Sequence, residues 1–457
     1  MKRGEFIRAA VVAGCAGLFG VLLGGIVRAG ELPSPLWKPV EGSFTAGFGP
    51  WEKKGVRLTA TEEWERGAFV SVIAAGVFRL DGLTRVYYTV YHGGKGFREK
   101  IAVADLYDDG RTVKWPLEID LPPETHPSLP AVVRDGRKWK LFFWLYGEGA
   151  RPRYGRMVTA DSEDGVVWKL GDWRRPVLVY YNDPLALDGS YPRARQANDA
   201  SSAYAVADGW DVYSPVLVDV PTNSPRYVKQ DIVAGRVRVM RRWEVGRDGT
   251  VKGPFEVATP DEDDPADLQF YDFSRIDFPD WRFGLLGRYE CAKQQITMEP
   301  VCSFDGRTWR RPLRANAFPL GTTYDAYMAI PAGAIYERDG RLHVFYSAGN
   351  ADHNFKTKDG SKPTMVIAEA TLDRHRLFSR STESGTLVSP EIVLPKRLKV
   401  HLGAGSSAEL SAGNWSVRLN GLDGAPVPVA VPQSLVGHRH PLRLAGRFSL
   451  YSVELCE

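Results

Sequence analysis

Cysteine is scarce in this sequence. The 457 residues include four cysteines, Cys15, Cys291, Cys302 and Cys456, and their spacing matches no metal-binding motif. A metal centre built on cysteine is therefore not indicated. Cys291 and Cys302 lie on neighbouring predicted strands, where an oxidising compartment would allow a disulfide. The bridged and the unbridged state of this pair both remain open.

An excess of charge of one sign is also missing. The chain has 59 basic and 55 acidic residues, which gives a formal net charge of +4. Nucleic-acid-binding proteins present a concentrated basic face, so we expect no nucleic-acid partner. The sequence indicates no protein partner either.

Long segments with apolar residues at helical spacing are absent after residue 30. In their place the chain carries 46 glycines, 31 prolines, 13 tryptophans and 19 tyrosines. This composition is typical of an all-β protein with many turns. A hydrophobic content of 44% is enough for a large core.

The N-terminus resembles an export signal. Basic residues within positions 2–8 precede an apolar, small-residue run over residues 9–27, and Val-Arg-Ala at 27–29 fits a cleavage site. We therefore predict a signal peptide over residues 1–29 and a secreted, periplasmic or extracellular protein. Two alternatives remain open: the run is long enough to anchor in a membrane, and Cys15 ends a lipobox-like sequence that would carry a lipid anchor.

Five turns that carry Asp-Gly or a related pair are each followed by an aromatic-rich strand. They begin roughly 55 to 75 residues apart, a spacing typical of repeat proteins. Asp and Gly accept the positive φ of a tight hairpin, so each copy predicts a turn and a strand. The turns are Asp81-Gly82, Asp135-Gly136, Asp208-Gly209, Pro279-Asp280 and Asp339-Gly340.

Two loops share the pattern Ser-x-Asp-Gly-x-x-Trp, at residues 162–168 and 303–309. The Asp of such a loop accepts backbone N–H bonds, the Gly supplies the turn and the Trp packs beneath the hairpin. We interpret both loops as structural and not as catalytic.

The repeats predict the architecture. An apolar segment precedes each aromatic strand and is expected to be the innermost strand of its unit. Five units without helices predict an all-β fold, a five-bladed β-propeller over residues 35–393. Short strands then predict a small C-terminal β-sandwich-like module over residues 394–457. A sandwich for the whole chain is the alternative, but it does not explain why the same strand order recurs.

Several short segments share their motifs with a known group of proteins: residues 260–265, 267–271, 283–287, 303–306, 324–325, 345–349 and 352–353, with 422–427 and 450–452 in the tail. They resemble bacterial secreted proteins of the five-bladed β-propeller glycosidase superfamily, which includes glycoside hydrolase families 32 and 43. The resemblance implies a carbohydrate-active protein that acts on an oligo- or polysaccharide. Asn182-Asp183-Pro184 and Glu290-Cys291 copy family 32 motifs but fall in other units, so no catalytic role is transferred from them.

The resemblance implies a glycosidase, and glycoside hydrolysis needs two carboxyl groups on either side of the scissile bond. The innermost strands of a propeller converge on its axis, so acids just upstream of them would share one pocket. Each predicted unit places an acid there, although a rim of solvated acids would have the same pattern. The candidate catalytic residues are Asp267, Asp325, Glu65, Asp199 and Glu124.

Polar and aromatic residues near the same strand ends are candidates for substrate binding. Trp64 and Tyr271 would serve as stacking platforms for a sugar ring and His353 as a partner for its hydroxyl groups, and Arg66 and His126 are further candidates for substrate binding. In an aromatic-rich fold, Trp64 and Tyr271 are equally expected in the core, and a lone His such as His353 is equally expected at the surface.

We expect no catalytic metal and no required cofactor. Asp261, Asp263 and Asp264 form a carboxylate cluster that would suit a structural calcium ion. The simpler interpretation is a solvated loop of turn-forming residues.

Three functions are compared. The first hypothesis is a secreted glycoside hydrolase that uses two or three carboxylates at the mouth of the propeller funnel, and the alternative is a glycan-binding propeller without catalysis. A sialidase ranks third because its Phe/Tyr-Arg-Ile-Pro motif is absent: Arg275-Ile276 is followed by Asp277.

Overall fold

The computed structural model describes residues 30–457 except residues 92–98, 148–154, 199, 228–234 and 423. The predicted signal peptide, Cys15 and Asp199 lie outside the described residues. Helix is confined in this part of the chain to one short α-helix, Pro184–Leu187, and to the 3₁₀ turns Ser34–Leu36, Glu63–Glu65, Arg193–Arg195 and Arg374–Arg376. The predicted all-β class is therefore confirmed. No described helix has the length and apolar character that crossing a bilayer requires.

The first three repeat units form three separate sheets. The first unit has five strands: Phe69–Ser71, Val77–Leu80, Leu83–Tyr91, Lys100–Tyr107 and Thr112–Pro116. The second unit has seven: Glu118–Ile119, Thr125–Asp135, Lys138–Gly147, Gly155–Ser162, Val167–Leu170, Leu178–Tyr180 and Gln196–Ala197. The third unit has four: Ser202–Val206, Gly209–Asp219, Arg236–Gly246 and Val251–Ala258.

The fourth and fifth units share an eight-stranded sheet. The fourth unit consists of Leu268–Asp277, Arg282–Glu290 and Gln295–Ser303. The fifth consists of Met328–Pro331, Tyr336–Arg338, Arg341–Gly349, Met365–Asp373 and Glu52–Leu58. Because Glu52–Leu58 pairs antiparallel with Met365–Asp373, a strand from before the first unit completes the last one.

The predicted hairpins are present. All five aromatic segments are strands, and the Asp-Gly turns before three of them hold Gly82, Gly136 and Gly340 at φ of +70°, +64° and +71°. A side chain at that φ would be strained, which explains the glycine. The loop at residues 303–309 is structural, as predicted: Asp305 Oδ1 accepts the backbone N–H groups of Arg307 and Thr308 at 2.8 and 2.7 Å.

Contacts between the units bring sequence-distant segments together. Ser71 Oγ of the first unit lies 3.0 Å from Ser347 Oγ of the fifth, and the Leu129 N–H of the second unit donates to Thr89 Oγ1 of the first. Tyr204 of the third unit donates to the Gly333 carbonyl in the fifth. The units thus surround a common interior.

The tail sheet has nine strands and its own apolar core. It contains Glu31–Pro33, Lys38–Gly42, Thr45–Phe48, Phe378–Val393, Arg397–Leu402, Ser407–Ala412, Trp415–Asn420, Val427–Ala430 and Arg439–Cys456. Leu398, Leu410, Leu442 and Leu444 are fully buried within it. Three strands from before the first unit therefore belong to the same sheet as the C-terminal residues.

Cys291 and Cys302 do not form the disulfide that the sequence left open. Both are unbridged buried thiols. Cys302 pairs in register with Phe283, near the start of the strand Arg282–Glu290, whereas Cys291 follows the end of that strand. Strand residues rise by about 3.3 Å each, so the two sulfur atoms lie at opposite ends of one hairpin.

Candidate functional site

A cavity of about 350 Å³ lies in the common interior of the repeat units. Residues in or next to the predicted innermost strand of every unit line it: Ser71, Ser128, Ala200, Tyr271 and Met328. The sequence predicted that these strands converge, but not which of their side chains face the cavity. Ser71, Ser128 and Ala200 carry no signal that separates them from ordinary strand residues.

Tyr271 and His353, two of the predicted substrate-binding residues, meet in this cavity. Both line its wall, and the His353 ring Nε2 lies 3.2 Å from the Tyr271 hydroxyl. Their rings are 5.4 Å apart and nearly perpendicular. The His353 backbone N–H donates to the Gln294 carbonyl, and the Arg238 guanidinium lies 5.2 Å from the Tyr271 ring. The turn before Gln295–Ser303 and the strand Arg236–Gly246 therefore both contact this pair.

The rest of the wall combines aromatic rings with hydroxyl groups. Tyr91, Tyr146 and Phe355 supply rings, and Thr89 supplies a further hydroxyl. Glu99 is the single acidic side chain among the described residues that line the cavity. It follows a segment that the structure does not describe, and sequence inspection missed it because it lies outside the recurring acid position.

Asp272, next to Tyr271 on the strand Leu268–Asp277, is a second acid that sequence inspection missed. It is fully buried, and neither carboxyl oxygen has a hydrogen-bond partner in the described part of the chain. It lies in a bulge, where the register between Phe270 and Phe273 shifts. Burial raises the pKa of this carboxyl well above its usual range. The protonated, neutral form is therefore favoured beside the cavity wall.

Asp325, a predicted catalytic residue, does not line this cavity. It is buried and accepts bonds from Lys53 Nζ at 2.6 Å, the Gly321 N–H at 3.1 Å and the Tyr346 hydroxyl at 3.3 Å. Lys53 belongs to Glu52–Leu58, the strand that completes the fifth unit. The geometry gives Asp325 a partner in the sheet and not a place at the cavity wall.

Glu65 is likewise held away from the cavity. It is fully buried and accepts bonds from the Tyr88 hydroxyl at 2.7 Å and from Lys114 Nζ at 2.8 Å. The Glu65 carboxylate also accepts the backbone N–H groups of Thr61 and Glu62. These bonds close the 3₁₀ turn Glu63–Glu65. The carboxylate therefore joins the turn to the sheet of the first unit.

The remaining predicted acids occupy different positions. Asp267 is half-buried just before the inner strand of the fourth unit and accepts the Ala292 N–H at 2.8 Å. Glu124 is exposed, with a φ of +58°. Neither is a lining residue of the cavity, and Asp199 lies outside the described residues.

The other predicted binding residues are divided between core and surface. Trp64 packs against the apolar core of the first unit. Arg66 is exposed and pairs with Glu63 at 2.5 Å. The His126 ring lies 5.7 Å from the ring of Tyr146, which lines the cavity, but His126 is not itself a lining residue.

The carboxylate cluster proposed for calcium is occupied by arginine. Arg311 binds both oxygens of Asp264 at 2.7 Å, and Arg314 pairs with Asp261. Burial alone would raise the pKa of Asp264, but the bonds from Arg311 hold it below its usual value. These guanidinium groups supply the positive charge that the cluster needs.

Comparisons with known proteins give structural matches without sequence matches. No family model matches the chain, and no curated protein matches it. A solved structure described as "Glycoside hydrolase" is similar at 15% identity and a TM-score of 0.51, over 71% of this chain and 92% of that one. A solved complex of BT0996 with RGII is similar at 14% identity and a TM-score of 0.50, with the same coverage of both proteins.

A thermostable family-43 glycoside hydrolase also matches, at 12% identity and a TM-score of 0.45, over 66% of this chain and 90% of that one. At these identities the similarity concerns the fold. The chain has a fold found among glycoside hydrolases, in agreement with the resemblance seen in its sequence motifs.

Proposed function

We propose that this chain is a carbohydrate-active protein that binds a sugar residue in the central cavity. The observation that carries the proposal is the Tyr271–His353 pair in the wall of a cavity of about 350 Å³. Small-molecule sites are clefts of roughly 300–1,000 Å³ with apolar walls and a few convergent polar groups.

The composition of the wall suits a sugar. A pyranose ring has apolar C–H faces and a rim of hydroxyl groups, so it needs aromatic faces and hydrogen-bonding groups together. Tyr271, Tyr146 and Phe355 offer the faces, while His353 and Glu99 offer acceptors for hydroxyl donors.

The five units form a five-bladed β-propeller in this proposal. Its support is that inner-strand residues from all five units line one cavity, and that Glu52–Leu58 completes the last unit from the start of the chain. The cavity then lies on the propeller axis.

Hydrolysis of a glycosidic bond is the second candidate, and two acids near the cavity favour it. Glu99 at the wall would be the carboxylate, and Asp272, the sequence neighbour of the lining residue Tyr271, is kept neutral by burial and would hold the proton. This is the division of roles that a two-carboxylate mechanism requires. Asp199 and Asp267 remain proposed catalytic residues, while we assign Glu65 and Asp325 structural roles because each has a buried lysine or tyrosine partner.

Binding is tested with a panel of neutral and acidic oligosaccharides. We expect Tyr271→Ala and His353→Ala each to lower the affinity for the best ligand about tenfold, which corresponds to about 1.4 kcal/mol of binding free energy. Tyr107→Ala and His438→Ala, at residues away from the cavity, are the matched controls. Equal ligand affinity in all four variants would show that the ligand does not bind in the cavity.

Hydrolysis is tested on the same panel by the release of reducing ends. In a hydrolase, Glu99→Gln lowers turnover by a much larger factor than it lowers ligand affinity. A protein that binds ligands tightly while every glycoside stays intact has the non-catalytic function.

We also propose that the chain is exported to the periplasm or the extracellular space with a signal peptide over residues 1–29. The support is the basic and then apolar composition of that segment. Mass spectrometry of the mature protein tests it. A mature N-terminus near residue 30 is expected, whereas a lipidated Cys15 or an intact segment would replace this proposal.

A further inference from the structure

Two histidines and two glutamates from distant parts of the chain meet beside the tail sheet. Glu31 lies on Glu31–Pro33, which pairs with the C-terminal strand so that Glu31 is opposite Glu454. His401 lies on Arg397–Leu402, which pairs with the same strand. His375 lies in the 3₁₀ turn Arg374–Arg376, between the last unit and the tail. We call these four residues the His–Glu cluster.

The donor atoms of the cluster are close together. His401 Nε2 lies 2.6 Å from Glu454 Oε1, and His375 Nδ1 lies 4.0 Å from the same oxygen. His375 Nδ1 also lies 3.0 Å from Glu31 Oε1. One ligand atom from each of His375, His401 and Glu454 can be chosen so that all three are within 4.8 Å of one another.

One carboxylate oxygen in the cluster has an unused hydrogen-bonding capacity. Glu31 is 6% exposed, and its Oε2 has no hydrogen-bond partner among the described groups. Arg374 Nε is 4.0 Å from this oxygen, and the same guanidinium also bonds Glu337 at 3.1 Å. A buried carboxylate oxygen without a hydrogen bond is costly, so a further ligand would stabilise it.

There is room for that ligand. A cavity of about 240 Å³ is lined by Glu31, His375 and Glu454, and also by Arg374 and by Asp280 and Trp281 of the fourth unit. Three of the four cluster residues thus face this cavity.

We propose that the His–Glu cluster binds a divalent transition-metal ion of the Zn²⁺ type. The ligands are His375 Nδ1, His401 Nε2 and one oxygen each from Glu31 and Glu454. Imidazole and carboxylate form a donor set suited to zinc, with bonds of about 2.0–2.2 Å, and tetrahedral ligands then lie about 3.3 Å apart. The measured separations of 2.6, 3.0 and 4.0 Å lie on both sides of that value.

Small side-chain motions would complete the site. The rings of His375 and His401 are stacked, 4.7 Å apart and 15° from parallel. A shared metal must lie in the plane of both rings, so at least one ring turns about χ2. This torsion is soft in histidine. The cluster without metal is a pair of His–Glu hydrogen bonds, and the metal replaces these with four bonds to one ion.

The site would join three segments of the chain. Glu31 comes from the start of the described chain and His375 from the connection after the fifth unit. His401 and Glu454 both come from the tail. A metal that binds only this folded arrangement adds its binding free energy to the stability of the fold. The ion therefore acts as a structural clip between the repeat units and the tail.

The experiment uses the full-length mature protein without a histidine tag, at about pH 8, where imidazole is mostly neutral. We expect isothermal titration to show one Zn²⁺ per chain, and Zn²⁺ to raise Tm by about 2 °C or more over the chelator-treated protein. Co²⁺ as a substitute should give the visible absorption of a tetrahedral site. Ca²⁺ should give none of these effects because it prefers oxygen ligands.

Variants localise the site. His401→Gln and His375→Gln should each lower Zn²⁺ affinity at least tenfold, while His438→Gln, an exposed histidine next to the same sheet, should leave it unchanged. Glu31→Gln is the additional variant if a histidine variant fails to fold. Absence of Zn²⁺ binding, or parental Zn²⁺ affinity in His401→Gln, His375→Gln and Glu31→Gln, overturns the proposal.

Discussion

At the scale of single residues, Glu65 illustrates how a buried carboxylate in a favourable sequence position can serve the fold. Its partner Lys114 is almost completely buried, so removal of the negative charge leaves an ammonium group without compensation. We expect Glu65→Gln to lower the free energy of unfolding by about 3–5 kcal/mol. Urea denaturation followed by tryptophan fluorescence measures the change.

Glu63→Gln is the matched control, since Glu63 pairs with Arg66 at the surface. Surface ion pairs contribute little, so this variant should unfold almost as the parent does. A Glu65→Gln variant of parental stability that has lost glycan hydrolysis would contradict the structural role and restore Glu65 as a catalytic residue.

The buried carboxyl group of Asp272 predicts that the stability of the protein depends on pH. Burial raises its folded-state pKa, so between the unfolded value of about 3.9 and the folded value the native state binds more protons than the unfolded state. The contribution of this residue to stability therefore falls as pH rises through that interval. The Asp272→Asn variant has no ionisable group at this position, so its stability does not fall with pH for this reason.

Urea denaturation of the parent and of Asp272→Asn, at several values between about pH 4 and about pH 8, measures the effect. The variant should gain stability relative to the parent as pH rises. Asp267→Asn is the control, because Asp267 is half-buried and accepts a backbone N–H. A constant difference between Asp272→Asn and the parent across this range would show that Asp272 is ionised in the native state.

At the scale of elements, the loop at residues 303–309 depends on one carboxylate. Asp305 accepts two backbone N–H groups, and Trp309 packs beneath the loop in the core between the third and fourth units. Asp305→Ala should lower the free energy of unfolding by about 1–2 kcal/mol. Thermal unfolding checks this, with Arg307→Ala, an exposed side chain of the same loop, as the control. Equal Tm values would show that the loop holds without its carboxylate.

The strands of this protein could be predicted because their signals are local. An Asp-Gly turn needs only the positive φ of its glycine, as at Gly82, and the aromatic strand follows directly. The loops with Ser-x-Asp-Gly-x-x-Trp are equally local. The sequence therefore predicted both the hairpins and the structural role of these loops.

The position of the site residues could be predicted only in part, because direction and pairing depend on distant segments. Asp325 directly precedes its predicted inner strand, as Asp267 does, yet its carboxylate meets Lys53, 272 residues away. Tyr271 and His353 were predicted as binding residues and do meet in the cavity. Asp272 is the neighbour of Tyr271 in sequence and nevertheless went unnoticed, because a bulge and not a motif determines where it lies.

At the scale of the whole molecule, the two ends of the repeat region meet in one sheet. Glu52–Leu58 pairs with Met365–Asp373, and the tail sheet combines strands from residues 31–48 with strands from residues 378–456. Both connections are non-local, so the fifth unit and the tail sheet are completed only when the start of the chain pairs with them. Contacts at this closure should therefore affect the stability of the whole repeat region.

A substitution at Lys53 tests whether the pairing of Glu52–Leu58 with Met365–Asp373 stabilises the repeat region. Its ammonium group bonds Asp325 at 2.6 Å and lies 5.0 Å from the Phe318 ring, so it joins the strand Glu52–Leu58 to the fifth unit. Lys53→Met leaves the Asp325 carboxylate buried without its cation and should lower the free energy of unfolding by about 3 kcal/mol. Lys54→Met is the matched control, because the neighbouring Lys54 pairs with Glu52 at the surface.

Variants of Lys53 and Asp325 together distinguish a structural role of Asp325 from a catalytic role. If the Lys53–Asp325 pair serves the closure, Lys53→Met and Asp325→Asn both reduce stability, and the double variant costs less than the sum of the two single changes. If Asp325 is instead a catalytic acid, Asp325→Asn abolishes glycan hydrolysis at temperatures where it is fully folded, and Lys53→Met alters the pH dependence of turnover. Denaturation and activity measured on one set of four proteins therefore distinguish closure of the repeat region from chemistry at its centre.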